Sequence, residues 1–174
     1  MAACGWLAVW AGAGRLSAQT AAVQPTATDP AYHELDFWLG DWEVSESDSH
    51  DRAGLARIEK LLKGAAVVMV WTNPDGSEIR EWFYYYRPEK RWRQLYIADS
   101  GFVKTREQIG SLADGSVRFV GKVPLRDGSG DDLDRSTVTP LPDGRVHQLL
   151  ERSRDGGATW SVSFDCVYAP AKRS

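Results

Sequence analysis

From Trp42 to Tyr168 the chain runs through short segments rich in β-branched and aromatic residues, each cut from the next by a turn signal. No stretch of about a dozen residues in between carries a helical period with caps. A chain that reverses every ~8–12 residues builds antiparallel neighbours, because connections this short cannot cross over to a parallel strand. The expected strands are 42–47, 56–62, 66–72, 78–87, 91–98, 102–111, 116–123, 132–139, 145–152 and 159–168. Asp114-Gly115, Pro142-Asp143-Gly144, Asp155-Gly156-Gly157 and the Gly-rich 127–130 supply the positive φ angles that tight reversals need. Consecutive hairpins of this number form a meander, and a meander that long curls to remove its edges. The expected fold is all-β, an antiparallel up-and-down barrel of about ten strands. A short helical plug at His33 to Gly40, started by Asp29-Pro30 and ended by Gly40, precedes it.

Side chains alternate as half-buried strands require. Trp160, Val162, Phe164, Cys166 and Tyr168 are expected on one face, with Ser161, Ser163 and Asp165 on the other; Val117, Phe119 and Val123 share a face likewise. Segment 66–71 is apolar without a break and is expected to be covered on both sides. Segment 78–87 carries Ile79, Phe83 and Tyr85 on one side and Trp82, Tyr84 and Tyr86 on the other, so large rings are expected inside and outside. Glu59, Glu81, Arg93, Gln94, Arg106, Glu107, Gln148 and Glu151 occupy strand positions whose direction parity alone leaves open.

The N-terminus has another character. Ala2 to Gly14 is small and apolar, Leu16-Ser17-Ala18 has cleavage-site spacing, and 19–30 is rich in Pro, Thr and Ala. That order is expected of a signal peptide over 1–18 and a flexible leader over 19–31 ahead of a domain at 32–170, although no positive charge precedes the apolar run. The run is shorter than the ~20 residues that span a bilayer, so no stable membrane insertion is expected and the protein is placed in the periplasm or secreted. Of two cysteines, Cys4 would leave with the signal, and Cys166 alone forms no internal disulfide; its alternation marks a buried small side chain. With 21 basic and 24 acidic residues and no basic stripe interleaved with aromatics, nucleic acid is a poor partner.

Asp36-Phe37-Trp38-Leu39-Gly40-Asp41-Trp42-Glu43-Val44 opens the domain, and Ser153 to Trp160 followed by Tyr168 closes it, with Trp92 to Tyr96 and Asp99-Ser100-Gly101 between. Over about residues 33–169 the chain resembles a bacterial family of exported domains with a lipocalin-like (calycin-type) barrel and no assigned activity. Gly40-x-Trp42 is similar to the Gly-x-Trp signature that opens lipocalins. The resemblance implies that the Trp plugs one end of the barrel and the Gly admits it.

Motifs that carry chemistry elsewhere are weak. Ser153-x-Asp155-x-Gly157-x-Thr159-Trp160 matches the Asp box of sialidase-type propellers, but it occurs once, which favours a hairpin staple over a sugar site. His33, His50 and His147 have no paired metal spacing; His147 could serve haem only if it pointed inward. His33-Glu34-x-Asp36 suits helix-start capping better than metal. The acidic 127–134 lacks the EF-hand offsets and is expected to be a solvated loop. No phosphate loop or nucleophile elbow occurs, so no cofactor and no metal are expected and catalytic residues stay unassigned.

A ten-stranded barrel is wide enough that its side chains need not fill it. The expected function is therefore an exported barrel that binds a small, largely apolar molecule, as monomer or homodimer. Its candidate binding residues are Trp71, Trp82, Tyr84, Tyr86, Trp92, Gln94, Tyr96 and Gln148. An enzyme using polar groups inside the barrel is the alternative, and an interaction module with an exposed aromatic face is a third reading.

Overall fold

A computed structural model describes residues 29–125 and 128–172, so the expected signal peptide and most of the leader lie outside the described residues. Ten strands follow one another: β1 (Gly40–Glu46), β2 (Arg52–Leu61), β3 (Ala66–Thr72), β4 (Glu78–Tyr86), β5 (Arg91–Ala98), β6 (Val103–Ser111), β7 (Val117–Pro124), β8 (Asp131–Pro140), β9 (Val146–Ser153) and β10 (Ser161–Pro170). Each pairs antiparallel with its sequence neighbours, and β1 pairs with β10 from Trp42↔Pro170 to Glu46↔Cys166, closing the barrel. Closure leaves no edge to pair with another chain. β2 begins at Arg52, earlier than its sequence suggests, because a register shift between Val44 and Ser45 lets Arg52 pair with Ser45.

The expected plug is two short 3-10 turns, Pro30–His33 and Asp36–Trp38. Asp29 caps the first, its carboxylate accepting the Ala31 amide at 3.0 Å. Leu35 and Trp38 are fully buried. Edge-to-face rings fill the end beneath them: Trp38–Phe83 at 5.6 Å, Trp38–Tyr168 at 5.4 Å and Phe83–Phe119 at 5.4 Å between centroids. Indoles from the wall bind the plug, Trp92 Nε1 donating to the Ala31 carbonyl at 2.8 Å and Trp42 Nε1 to that of Trp38 at 3.0 Å. Gly40 turns the chain from plug into wall at φ +137°, where a side chain would be strained. This end is solid, so an internal void belongs at the other.

β3 is buried on both faces for two reasons. Val67, Met69 and Trp71 belong to the core, while the outward Ala66 and Val68 stand opposite Tyr84 and Trp82 of β4, whose large rings cover them. One expected face is broken. A bulge between Val162 and Phe164 turns the start of β10 over, so Phe164, Cys166 and Tyr168 point inward while Val162 is exposed and pairs with outward Glu151. Trp160 packs on the outer surface, under the guanidinium of Arg135 at 3.9 Å. The hairpin that follows β9 is stapled as its motif implies. Asp155 accepts from the Thr159 amide (2.9 Å), the Thr159 hydroxyl (2.6 Å) and the Ser153 hydroxyl (2.7 Å), and Trp160 Nε1 donates to the Gly157 carbonyl.

Candidate functional site in the open half of the barrel

Strand parity decides which side chains meet inside. On β4 the inward set is Ile79, Glu81, Phe83 and Tyr85; on β5 it is Trp92, Gln94 and Tyr96; on β6, Lys104, Arg106 and Gln108. β8 contributes Asp132, Asp134, Ser136 and Val138, and β9 contributes Val146, Gln148 and Leu150. Polar side chains therefore enter the interior from β4, β5, β6, β8 and β9, interleaved with apolar ones. β3 and β10 add the apolar Met69, Trp71, Phe164 and Cys166.

The polar residues form one chain of bonds. Gln94 donates to Glu81; Arg106 donates through Nη1 to Gln94 Oε1 at 2.9 Å and through Nη2 to Asp134 Oδ2 at 2.8 Å. Lys104 donates to the same Asp134 oxygen at 2.7 Å, its ammonium lying 4.8 Å from the centre of the Tyr96 ring. Nearby, Tyr168 donates to Gln148 Oε1 at 2.6 Å, and Gln148 passes a bond to Ser136 at 3.1 Å. Charges out of water survive only with such partners.

Burial tunes these groups. It drives the Glu81 carboxyl above its ordinary range, against the pull of Arg106 and Lys104. Burial and then Arg106 push the Lys104 ammonium down. For Asp134 burial opposes ionisation, but Arg106 and Lys104 outweigh it and its pKa falls. Tyr96 is raised, by burial first and by Glu81. Cys166, fully buried, is raised by burial and is a packed thiol, not a nucleophile.

Above this layer lies a cavity of about 440 Å³. Met69, Trp71, Ile79, Leu150 and Phe164 are its apolar lining, and Glu81, Tyr96, Lys104, Gln148 and Tyr168 its polar lining; Glu46, Arg52 and Asn73 stand at its rim. Trp71 is held by its indole N–H, donated to Asn73 at 2.7 Å. A larger hollow of about 760 Å³ lies against β1–β3, lined by Leu55, Arg57, Val70 and Lys172 among others. The interacting buried ionisable groups converge on the inner cavity, and on that ground it is the candidate site.

Of the residues proposed from sequence, Trp71, Tyr96 and Gln148 line this cavity, and Gln94 sits behind its wall, bonded to Glu81. Trp92 is fully buried at the plugged end, away from the void. Trp82, Tyr84 and Tyr86 point outward, each about two-fifths exposed, because Glu81, Phe83 and Tyr85 hold the inward parity of β4. Glu81, Arg106, Gln94 and Gln148 turn inward, whereas Glu59, Arg93, Glu107 and Glu151 turn outward. Asp132 and Asp134, which fall both in the acidic run expected to be a solvated loop and in the expected strand 132–139, are buried residues of β8, as the strand reading has it. Lys104 went unnoticed in the sequence, and Asp134 counted only as part of an acidic run; their match of sign across β6 and β8 is visible only once β7 is placed between them.

His147 bonds Asp165 at 2.7 Å on the outer face, so no imidazole of β9 reaches the interior. Among the described residues no group of three His, Cys, Asp or Glu is arranged to hold a metal ion, and no helix is long and apolar enough to cross a membrane.

The fold and site define a closed, ten-stranded, up-and-down antiparallel barrel with one plugged end and one amphipathic internal cavity, an architecture consistent with the lipocalin-like one. No protein-family model matches the chain, and no curated protein does.

Proposed function

We propose that this protein is an exported barrel that takes up one small molecule with an apolar body and a single polar end. The observation that carries the reading is the mixed lining of the cavity: the apolar Met69, Trp71, Ile79, Leu150 and Phe164 together with the polar Glu81, Tyr96 and Lys104. Apolar walls supply binding energy at about 25 cal/mol per Å² of surface removed from water, and a few placed polar groups fix orientation. Its volume of about 440 Å³ suits a molecule of one to three rings or a medium alkyl chain. Export belongs to the same reading, on the strength of the apolar run from Ala2 to Gly14 and the small residues at Leu16-Ser17-Ala18. The intact mass of protein recovered from its native host checks it, since cleavage after Ala18 removes a defined mass.

Titration with phenylnaphthylamine, an uncharged apolar fluorophore, tests uptake. Fluorescence should rise to saturation at one equivalent, and Met69→Trp, which grows a ring into the void, should weaken binding by about ten-fold or more. Binding that ignores Met69→Trp contradicts the reading. One feature favours a second reading, catalysis of proton transfer: Glu81 and Lys104 share the wall and are both displaced from their ordinary titration ranges. Turnover of a substrate that Glu81→Gln abolishes, with phenylnaphthylamine uptake intact, would select it.

A further inference from the structure

We propose, building on the uptake reading above, that the polar end of the ligand is an anion seated on Lys104, and that Glu81 takes up a proton as it enters. The cation inventory leads there. Asp134 Oδ2 alone accepts from both Lys104 and Arg106, at 2.7 and 2.8 Å, so one carboxylate serves two positive charges. An ammonium has three N–H groups; one goes to Asp134, leaving others toward the Tyr96 ring and the cavity. Arg106 is committed to Gln94 and Asp134 and lies behind the wall, and Arg52 stands out at the rim, which makes Lys104 the cation that a ligand meets inside the barrel.

The proton follows from what surrounds Glu81. Tyr96 faces it from β5, Lys104 and Arg106 from β6, Asp134 from β8, and Cys166 and Tyr168 from β10. Glu46 of β1 and Arg52 of β2 stand farther out, at the rim. Burial keeps Cys166 and Tyr168 neutral, and Asp134 is held ionised by Arg106 and Lys104. Glu81 is the carboxyl left to change charge. Two anions on one water-poor wall repel, so an arriving anion favours the protonated form of Glu81. Neutral Glu81 leaves Lys104 and Arg106 against Asp134 alone, a surplus of one positive charge that the ligand then fills. By linkage, affinity for an anion should fall as pH rises through the titration of Glu81.

Anilinonaphthalene sulfonate tests this against phenylnaphthylamine, since the two share their rings and differ by one sulfonate that stays ionised across the range. The sulfonate should bind the wild-type protein about ten-fold more tightly at pH ~6, and lose that advantage as pH is raised to ~9. Lys104→Met should erase the preference, so that the sulfonate and phenylnaphthylamine bind with equal affinity, and its far-UV circular dichroism and urea midpoint show that the variant folds. Glu81→Gln should hold the sulfonate tightly through the range in which the wild type loses it, until Lys104, itself pushed down by burial and Arg106, gives up its proton. Equal or weaker sulfonate binding with phenylnaphthylamine uptake intact overturns the anion assignment alone. Failure of both probes overturns the uptake reading with it. A sulfonate affinity indifferent to Lys104, as binding to the outer aromatic face would give, or a Glu81→Gln variant that keeps the wild-type pH profile, also overturns the proposal.

Discussion

Glu81 shows how much one position can hold. It lies on β4 between Ile79 and Phe83 in the inward parity, and among the described residues its side chain is hydrogen-bonded by the Gln94 amide. A carboxyl whose folded pKa lies above its unfolded value costs stability as pH rises from the unfolded value toward the folded one, because the unfolded chain loses the proton first. Burial puts Glu81 in that class. Glu81→Gln preserves an acceptor for Gln94 and removes the ionisation, so the urea midpoint of the variant should exceed the wild type above neutral pH. The two should converge below about pH 4, where both states hold the proton. Equal midpoints throughout would mean that water reaches the carboxylate freely. In the sequence this residue could not be told from Glu59 or Glu107, since all three occupy strand positions whose direction parity alone leaves open. Only the flanking register, which puts Glu81 opposite Met69 and Tyr96, turns it inward.

At the scale of elements, the strands were legible because turn chemistry and alternation agree in nearly every segment. Where they failed, a local irregularity was the cause. The bulge in β10 inserts one residue and flips Val162, and the shift after Val44 lengthens β2, and neither leaves a mark in composition. The aromatic strand β4 misled for a related reason: rings on both faces meant that size could not identify the inside, and Trp82 and Tyr84 serve as an outer cover for β3. The plug was legible in position from Asp29-Pro30 and Gly40, though it is two tight turns rather than one helix. Its weight rests on Trp38, which is fully buried against Phe83 and Tyr168. Trp38→Ala should cost about 3–5 kcal/mol in equilibrium unfolding. A loss under about 1 kcal/mol would show that the plug is an ornament on a barrel closed by its own strands.

For the whole molecule, asymmetry is the main feature. One end is filled by rings and capped; the other keeps a void lined by polar and apolar side chains together. The candidate site was legible only in part, through Trp71, Gln94, Tyr96 and Gln148, because a hydrogen-bonded chain from Glu81 to Lys104 draws on β4, β5 and β6 and then reaches past β7 to Asp134 of β8. The central claim is that a small molecule enters this interior and not the aromatic surface outside. Amide and indole chemical shifts of isotope-labelled protein, followed during titration with phenylnaphthylamine, separate the two, since Trp71 reports from within and Trp82 from without. Shifts confined to Trp71, Met69, Ile79, Leu150 and Phe164 are predicted; shifts at Trp82, Tyr84 and Ile97 with Trp71 unmoved would contradict the account.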